Sequence, residues 1–153
     1  MDEPDRRILF WLQRDASMPL ADLAEKVGLS PSPCWRRVQR LTAEGVIRAR
    51  VALLDAERVN VGVNVFVSVR TNQHKKAWAD EFSACVMGLP EVIGFYRMAG
   101  DIDYLLHVVV PDIAAYDRVY KGLIERIELY DVSASFAIET IKSTTALPLD
   151  YAR

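Results

Sequence analysis

The stretch that most constrains the fold is residues 28–41, where a turn-like composition is followed by an amphipathic helical pattern. Gly28 suits a left-handed residue that ends a preceding helix. Ser30 suits an N-cap, and Pro31 suits the first helical position, where its missing N–H costs nothing. Helical spacing predicts one buried stripe, formed by Cys34, Val38 and Leu41. The stretch therefore predicts the turn and second helix of a helix-turn-helix.

The face opposite this stripe carries the side chains that we expect to meet DNA. Three arginines lie off the stripe, namely Arg36, Arg37 and Arg40. Ser32 and Pro33 lie at the leading end of the same helix. Such a helix can place its tip against base edges in the major groove while the arginines contact phosphate or guanine. The alternative is that the arginines form only a solvated helix face.

The flanking sequence adds the other parts of a winged helix-turn-helix. Apolar residues recur at helical spacing over residues 5–15 and 20–27, which predicts two preceding helices. Residues 46–54 alternate partly between apolar and basic side chains, and they predict a strand pair, or wing, that carries Arg48 and Arg50. Arginines of a wing typically contact phosphate or the minor groove, so they position a protein more than they specify sequence.

Charge is segregated along the chain. The net charge is −2, which by itself argues against a nucleic-acid-binding protein. Residues 34–50, however, hold five basic residues against one acidic residue, whereas residues 61–153 hold nine against twelve. A local basic patch is the electrostatic feature that matters for DNA. The candidate DNA-contacting residues are Ser30, Ser32, Pro33, Trp35, Arg36, Arg37, Arg40, Arg48 and Arg50.

The second half of the chain has strand and helix patterns in the order βαββαβ. The predicted strands cover residues 63–70, 91–98, 103–110 and 130–142. One predicted helix covers residues 75–87, and a second begins after residue 112. This order predicts a ferredoxin-like, four-stranded antiparallel sheet with both helices on one face. The other face would be bare and apolar, which implies a partner, most simply a second copy across a two-fold axis.

We therefore expect an α+β protein of two domains. Residues 1–54 form the winged helix-turn-helix, residues 55–62 the linker, and residues 63–153 the ferredoxin-like domain. A two-fold dimer also suits the DNA-binding half, because such dimers bind palindromic half-sites.

Composition and motifs argue against several classes of function. No apolar run is long enough for a transmembrane helix, and the acidic N-terminus differs from a secretion signal. With only two cysteines, a disulfide framework or zinc site is not expected, and a reducing cytoplasm is the natural setting. His74 and His107 are isolated, and the sequence has no paired nucleophile and base. We expect neither an enzyme nor a protein that carries a cofactor or metal.

The chain resembles the leucine-responsive regulatory protein/asparagine regulator (Lrp/AsnC) family over almost its whole length. The matching residues are 5–9, 23–30, 32–38, 44–47, 90–92, 100–106 and 144–149. The helix-turn-helix alone would be moderately specific, and the hairpin motif (residues 100–106) and the terminal motif (residues 144–149), in this order, make the match strong. The resemblance implies a feast/famine regulator of amino-acid metabolism genes, whose dimers assemble into octamers or related discs and whose C-terminal domain binds a small effector.

The resemblance also places the effector, expected to be an amino acid, near the turn of the predicted hairpin and between dimers. Asp101 or Asp103 can pair with its ammonium, and backbone N–H groups beside Gly100 can bind its carboxylate. The candidate effector-binding residues are Tyr96, Met98, Gly100, Asp101, Asp103, Tyr104, Ser143, Thr144 and Thr145, the last three from the tail of a neighbouring subunit. The alternative is that Gly-Asp is only hairpin chemistry and Tyr104 fills an interface.

Two other functions compete with this interpretation. An architectural protein without an effector would bind DNA with little sequence preference. Haem-pathway decarboxylases resemble this family's architecture, but we expect those to carry a segment rich in His and Arg after the wing. Residues 51–69 hold no His and only one Arg, Arg58. The leading prediction is an oligomeric regulator that binds a pseudo-palindromic duplex operator and responds to an amino acid.

Overall fold

The computed structural model describes residues 1–73 and 75–152, which form two compact units. The first unit comprises Met1–Leu53 and the C-terminal segment from Lys142, and the second comprises Leu54–Ile141. His74, which we expected to be an ordinary loop residue, lies outside the described residues. Within the described chain, no helix combines the length and the apolar character that crossing a bilayer requires.

The first unit is built on three helices, as the sequence predicts. They are α1 (Glu3–Leu12), α2 (Leu20–Val27) and α3 (Pro31–Ala43). Their apolar stripes meet in one core, formed by Ile8, Leu9, Leu12, Leu23, Ala24, Val27, Cys34, Val38 and Leu41. α1 begins earlier than expected because the Asp2 side chain caps it and Pro4 lies in its first turn.

The segment after α3 corrects one expectation. Residues 46–54 contain no strand, although we predicted a strand pair there. The backbone N–H of Ile47 donates to the carbonyl of Leu41 at 3.0 Å, a bond that caps the C-terminal end of α3 rather than joining two strands. A lone extended segment is not stable as a strand without a neighbour to pair with, and no strand of this unit is available among the described residues.

The C-terminal segment packs on α1, whereas we expected residues 63–153 to form one domain. The Gln13 amide exchanges two hydrogen bonds with the backbone of Leu147, donating at 3.0 Å and accepting at 2.9 Å. Arg6 donates to the carbonyl of Ala152 at 2.9 Å. Leu149 packs against the helical core. These contacts satisfy backbone groups and bury an apolar side chain, so the segment belongs to the first unit.

The second unit is a four-stranded antiparallel sheet with two helices, which confirms the predicted ferredoxin-like class. Its elements are β1 (Val63–Arg70), α4 (Lys76–Met87), β2 (Val92–Arg97), β3 (Tyr104–Val110), α5 (Ile113–Ile124) and β4 (Asp131–Phe136). The strand order across the sheet is β2-β3-β1-β4. β4 is shorter than predicted, since it ends at Phe136 rather than near residue 142.

Strand alternation decides which side of the sheet the helices cover. The core-facing residues of the two central strands are Val65, Val67, Val69, Tyr104, Leu106, Val108 and Val110. Phe82 from α4 and Leu123 from α5 pack on this side. Ile113 occupies the first helical position of α5, directly after the capping residue Asp112, and is exposed. The opposite side of the sheet is not covered by either helix.

Candidate DNA-binding surface and effector site

The turn between α2 and α3 has the geometry that the sequence predicts. Gly28 adopts a left-handed conformation, with φ of 70°, and its N–H donates to the carbonyls of Ala24 and Glu25. Ser30 is extended at the N-cap of α3, and Pro31 opens the helix. The Ser30 side chain forms no capping hydrogen bond within the described chain. Its hydroxyl therefore stands at the exposed tip of α3.

α3 has one buried and one exposed face. The predicted stripe of Cys34, Val38 and Leu41 is buried, and burial raises the pKa of the Cys34 thiol. On the other face Ser32 and Arg36 are exposed, and Trp35 is 52% exposed. A shallow hollow of about 300 Å³ is lined by Pro33, Arg36, Arg37 and Arg40. The exposure of Ser32, Trp35, Arg36 and Arg40 agrees with the outward direction expected for them, whereas Pro33 and Arg37 are half-buried.

The three arginines of α3 nevertheless differ in their partners. Arg37 Nη1 lies 2.7 Å from Asp2 Oδ2 and 2.8 Å from Asp5 Oδ1. Arg40 Nη2 lies 2.6 Å from Asp5 Oδ2. Arg36 has no ion-pair partner among residues 1–73 and 75–152. We expected all three to be directed at DNA, whereas two of them bind carboxylates of the α1 N-terminus.

The ion pairs between α1 and α3 also shift the pKa values of Asp2 and Arg37. The hydrogen bond from Arg37 lowers the pKa of Asp2 to about 2, and the hydrogen bonds to Asp2 and Asp5 raise the pKa of Arg37. Sequence analysis missed these acidic partners. The available signal was their spacing of three residues at a helix start, which is typical of capping residues. The sequence alone does not show that this turn lies beside α3.

The two arginines after α3 lie in a segment without regular secondary structure rather than in a strand. Arg48 and Arg50 are exposed, and neither has an ion-pair partner in the described part of the chain. Together with α1 and the C-terminal segment, residues 46–51 line a cavity of about 510 Å³ that is mostly apolar. The two exposed arginines therefore contribute to the lining of an apolar cavity in the first unit.

The turn between β2 and β3 carries four of the nine candidate effector-binding residues, namely Met98, Gly100, Asp101 and Asp103. The Met98 N–H donates to the carbonyl of Asp103 at 2.8 Å and closes the turn. Gly100 has φ of 141°, a conformation that favours glycine. Arg70 Nε donates to the carbonyl of Asp101 at 2.8 Å, which ties the turn to the end of β1. The turn is thus held in one conformation by groups outside it.

The two aspartates of this turn are in different situations. Asp103 is half-buried, and its Oδ2 accepts a hydrogen bond from the Thr71 N–H at 2.8 Å. Asp101 is exposed, and its carboxylate contacts no donor among the described side chains and backbone groups. An exposed carboxylate with all its acceptor positions open can bind an ammonium directly. Asp101 is therefore the better placed of the two.

Tyr104 belongs to the core of the second unit rather than to an exposed surface. It is 8% exposed, and its ring centroid lies 4.9 Å from that of Phe82 and 5.7 Å from that of Phe95. Tyr96 and Met98, by contrast, are exposed. Aromatic packing accounts for the position of Tyr104, and its expected contact with the effector stays a prediction.

The three hydroxyl residues of the tail lie in the first unit, not in the unit that holds the turn. Ser143, Thr144 and Thr145 are exposed, and Thr144 Oγ1 accepts a hydrogen bond from the Ala146 N–H at 3.1 Å. We expected these residues to reach the effector from a neighbouring subunit. That expectation concerns a second copy of the chain and stays a prediction.

The uncovered side of the sheet carries a polar and aromatic cluster that sequence analysis missed. His107 Nε2 lies 2.7 Å from Asn64 Oδ1, and the His107 ring stacks on Phe66 at a centroid distance of 4.6 Å. Burial lowers the pKa of His107. Gly94 leaves room for this cluster, because a Cβ there would lie 2.9 Å from the Tyr96 ring. Strand alternation predicts the shared face, but only the strand register places these residues side by side.

Two family models match the chain, one for each half. The model described as winged helix-turn-helix DNA-binding matches residues 1–48. The model described as Lrp/AsnC ligand binding domain matches residues 64–147. Each match includes one of the surfaces described above, α3 in the first case and the β2–β3 turn in the second.

Named relatives agree with both matches. The glutamate uptake regulatory protein of Zymomonas mobilis is 50% identical over 149 residues, which are 97% of this chain and 91% of that protein. The DNA-binding transcriptional activator DecR of Escherichia coli is 44% identical over 151 residues, which are 98% of this chain and 99% of that protein.

Solved structures show the same fold. An AsnC family transcriptional regulator from Agrobacterium tumefaciens has a TM-score of 0.97 and 59% identity, with all of both chains covered. A transcriptional regulator from Neisseria meningitidis, crystallised in complex with L-Met, has a TM-score of 0.93 and 36% identity, with 98% of this chain and 97% of that chain covered. The resemblance seen in the sequence is thereby confirmed, and the chain belongs to the Lrp/AsnC family of DNA-binding transcriptional regulators.

Proposed function

We propose that this protein is a sequence-specific transcriptional regulator that binds duplex DNA through α3 and responds to an amino acid. The observation that carries the DNA-binding part is the exposed face of α3, where Arg36 is unpaired within the described chain. Base edges in the major groove would meet the tip of this helix, formed by Ser30, Ser32, Pro33 and Trp35. Arg48 and Arg50 would contact phosphate.

An amino-acid effector is the ligand class that the β2–β3 turn suits best. Its ammonium would pair with Asp101, and the negative charge of Asp103 would add to the attraction. Its carboxylate would accept hydrogen bonds from backbone N–H groups beside Gly100. Its side chain would lie against Tyr96 and Met98. The tail residues Ser143, Thr144 and Thr145 would add hydroxyls from another copy. Two comparisons support this class, namely a relative named for glutamate uptake and a neighbouring structure that contains L-Met.

The uncovered side of the sheet supports self-association. Its aromatic residues include Phe66, which is partly exposed, and Tyr96, which is 56% exposed. Apolar groups on a sheet face are stabilised when a second sheet covers them, and a two-fold axis lets the same face cover itself. We propose dimers of this kind, assembling further into octamers or similar rings. The cytoplasm, where the DNA is, is the expected location.

The proposal of sequence-specific DNA binding is tested by fluorescence anisotropy at one fixed salt concentration. The affinity for a pseudo-palindromic duplex is compared with that for a random duplex of equal length. Sequence-specific binding predicts an affinity ratio of about 10³ or more between the two duplexes. Equal affinity would instead indicate an architectural protein. No binding to either duplex, by protein that is folded and oligomeric, would contradict the proposed function.

The effector part is tested by a thermal-shift screen of the twenty amino acids. A ligand that binds only the folded protein stabilises it by about 2.7 kcal/mol at a concentration of 100 Kd. The Asp101→Asn variant should lose the shift, whereas Asp80→Asn, which changes an exposed carboxylate on α4, should keep it. An unchanged response in Asp101→Asn, with the oligomer intact, would contradict the proposed site.

The self-association part is tested by light scattering after size-exclusion chromatography. A charge in the middle of the uncovered sheet face, introduced by Phe66→Glu, should dissociate the dimer. The matched control is Ile113→Glu, which puts the same charge at an exposed position on the helical side of the second unit. A Phe66→Glu protein that elutes with the mass of the wild-type oligomer would contradict this interface.

A further inference from the structure

The start of α1 and the middle of α3 share one network of charges. Asp2 is the N-cap of α1 and accepts a hydrogen bond from the Asp5 N–H at 3.0 Å, and Asp5 accepts one from the Asp2 N–H at 3.3 Å. The same two carboxylates accept the guanidinium groups of Arg37 and Arg40. The first turn of α1 and the placement of α3 therefore depend on the same oxygen atoms.

Burial makes Asp5 the central member of this network. Its side chain is 2% exposed, and a buried carboxylate is strongly unfavourable unless cations and donors surround it. Each of its oxygens has a different arginine, Arg37 on Oδ1 at 2.8 Å and Arg40 on Oδ2 at 2.6 Å. The other acidic neighbour of Arg40 is Glu44, which is exposed and 3.9 Å away, so it contributes little.

We propose that Asp5, assisted by Asp2, is a positioning residue for the DNA-binding surface. It holds Arg37 and Arg40 against α1, so that these two arginines set the orientation of α3 and Arg36 is the arginine of α3 that neutralises phosphate. This inference rests on the proposed function. It revises the simple expectation that three arginines on one helix face provide three cations for DNA.

The distinction can be measured through the salt dependence of DNA binding. Each phosphate that a cation neutralises adds about −0.9 to the slope of log K against log salt concentration for duplex DNA. Arg36→Gln should make the slope shallower by about 0.9 for each copy that contacts DNA. Arg40→Gln removes the same charge from the same helix, so any effect of net charge is common to both variants. The inference predicts that its slope stays closer to that of the wild-type protein.

The positioning role of the carboxylates is tested with Asp5→Asn, which keeps the size of the side chain and removes its charge. Arg40 then loses its close counter-charge, and Arg37 keeps only that of the exposed Asp2. Both arginines become more available to phosphate, so the slope should become steeper. The affinity ratio between an operator duplex and a random duplex should fall, because α3 is no longer held in one orientation. Asp2→Asn changes an exposed carboxylate of the same network and should act in the same direction with a smaller effect.

The measurements use the full chain, with circular dichroism and light scattering as controls for fold and oligomer. If Asp5→Asn does not fold, Asp2→Asn and the two arginine variants carry the test. Equal slopes for Arg36→Gln and Arg40→Gln would overturn the inference. A lower affinity with an unchanged slope in both aspartate variants would also overturn it, since that is the result of a purely structural role. Wild-type protein that binds no duplex would overturn the proposed function instead.

Discussion

α3 in the first unit and the β2–β3 turn in the second each carry several side chains of like charge. In both places, some of these side chains already bind other groups of the protein. In α3, Arg37 and Arg40 bind acidic side chains, and Arg36 has none among the described residues. In the turn, Asp103 accepts the Thr71 N–H, and Asp101 has no such donor in the described chain. The number of charges in a motif is therefore not the number available to a ligand.

The paired arginines of α3 and the hydrogen-bonded Asp103 of the turn differ in how much of their charge remains available to a ligand. An ion pair with a buried carboxylate largely cancels the charge of Arg37 and Arg40 as seen from outside. A backbone N–H is neutral, so Asp103 stays negative and loses only one acceptor position. We infer that pairing removes arginines from the DNA-binding surface, whereas the hydrogen bond leaves Asp103 able to attract an ammonium electrostatically.

The largest expected effect on stability comes from breaking the buried pair in the first unit. Asp5→Ala should lower the free energy of unfolding by about 3 kcal/mol, the low end for a broken buried pair, because Arg37 and Arg40 can rehydrate. Asp101→Ala in the second unit should change it by less than about 0.5 kcal/mol, as for an ordinary surface residue. Urea unfolding followed by tryptophan fluorescence measures both. A loss below about 1 kcal/mol for Asp5→Ala would contradict the central place given to this carboxylate.

A smaller effect is expected for the occupied aspartate of the second unit. Asp103→Ala leaves the Thr71 N–H without its charged acceptor and should cost about 1.5 kcal/mol. Hydrogen exchange at the Thr71 amide should become faster in this variant and stay unchanged in Asp101→Ala. Protection of Thr71 that is equal in both variants would show that the two aspartates do not differ in the way described.

A neutral contact in the first unit gives a third comparison. Gln13→Ala removes both hydrogen bonds to Leu147 and should cost about 1 kcal/mol, because the backbone groups of an exposed segment can turn to water. Gln39→Ala is the matched control, since Gln39 is exposed on α3 and forms no side-chain hydrogen bond in the described structure. Chemical denaturation of the two variants should give different midpoints. Identical midpoints would mean that the C-terminal segment contributes nothing to the first unit.

The smallest expected effect is a pH dependence of the second unit. Burial lowers the pKa of His107 in the folded state below the value of 6.5 that applies when it is unfolded, so the unfolded state binds more protons between these two values. Stability should therefore fall as the pH decreases through about 6.5 and level off below the folded pKa. Unfolding measured from pH 8 to pH 5 should show this fall, and His107→Gln should reduce it. An undiminished fall in the variant would assign the effect to other groups.

The features predicted correctly from the sequence are those that depend on residues close together in the chain. The helix boundary at Gly28, Ser30 and Pro31 and the alternation of β1 followed directly from the sequence, because backbone preference and side-chain period act over a few residues. The ion pairs of Asp5 depend on residues 32 and 35 positions away, so no local pattern identifies them. Residues 46–54 have a strand-like composition, but strand formation depends on a partner strand more than on composition.

Burial is a second property of the candidate sites that a local sequence pattern does not show. Tyr104 and Asp103 lie in or next to a motif that suggests ligand binding, yet one packs in the core and the other caps a backbone N–H. Their neighbours Phe82 and Thr71 come from other elements, so the sequence of the turn alone does not separate structural from exposed side chains. Arg36 and Asp101 are two of the candidate side chains that the tertiary structure leaves exposed.

The most direct test of the account is selection of bound duplexes from a randomised pool by the full-length protein, repeated with Arg36→Gln. A two-fold regulator that uses α3 predicts enrichment of pseudo-palindromes whose half-sites lie about one helical turn, roughly 10 base pairs, or a multiple of it apart. Arg36→Gln should enrich them weakly, since one arginine contact to a base or phosphate is worth about 1–3 kcal/mol. A wild-type protein that enriches no sequence, or a variant that enriches the same sequences equally well, would contradict it.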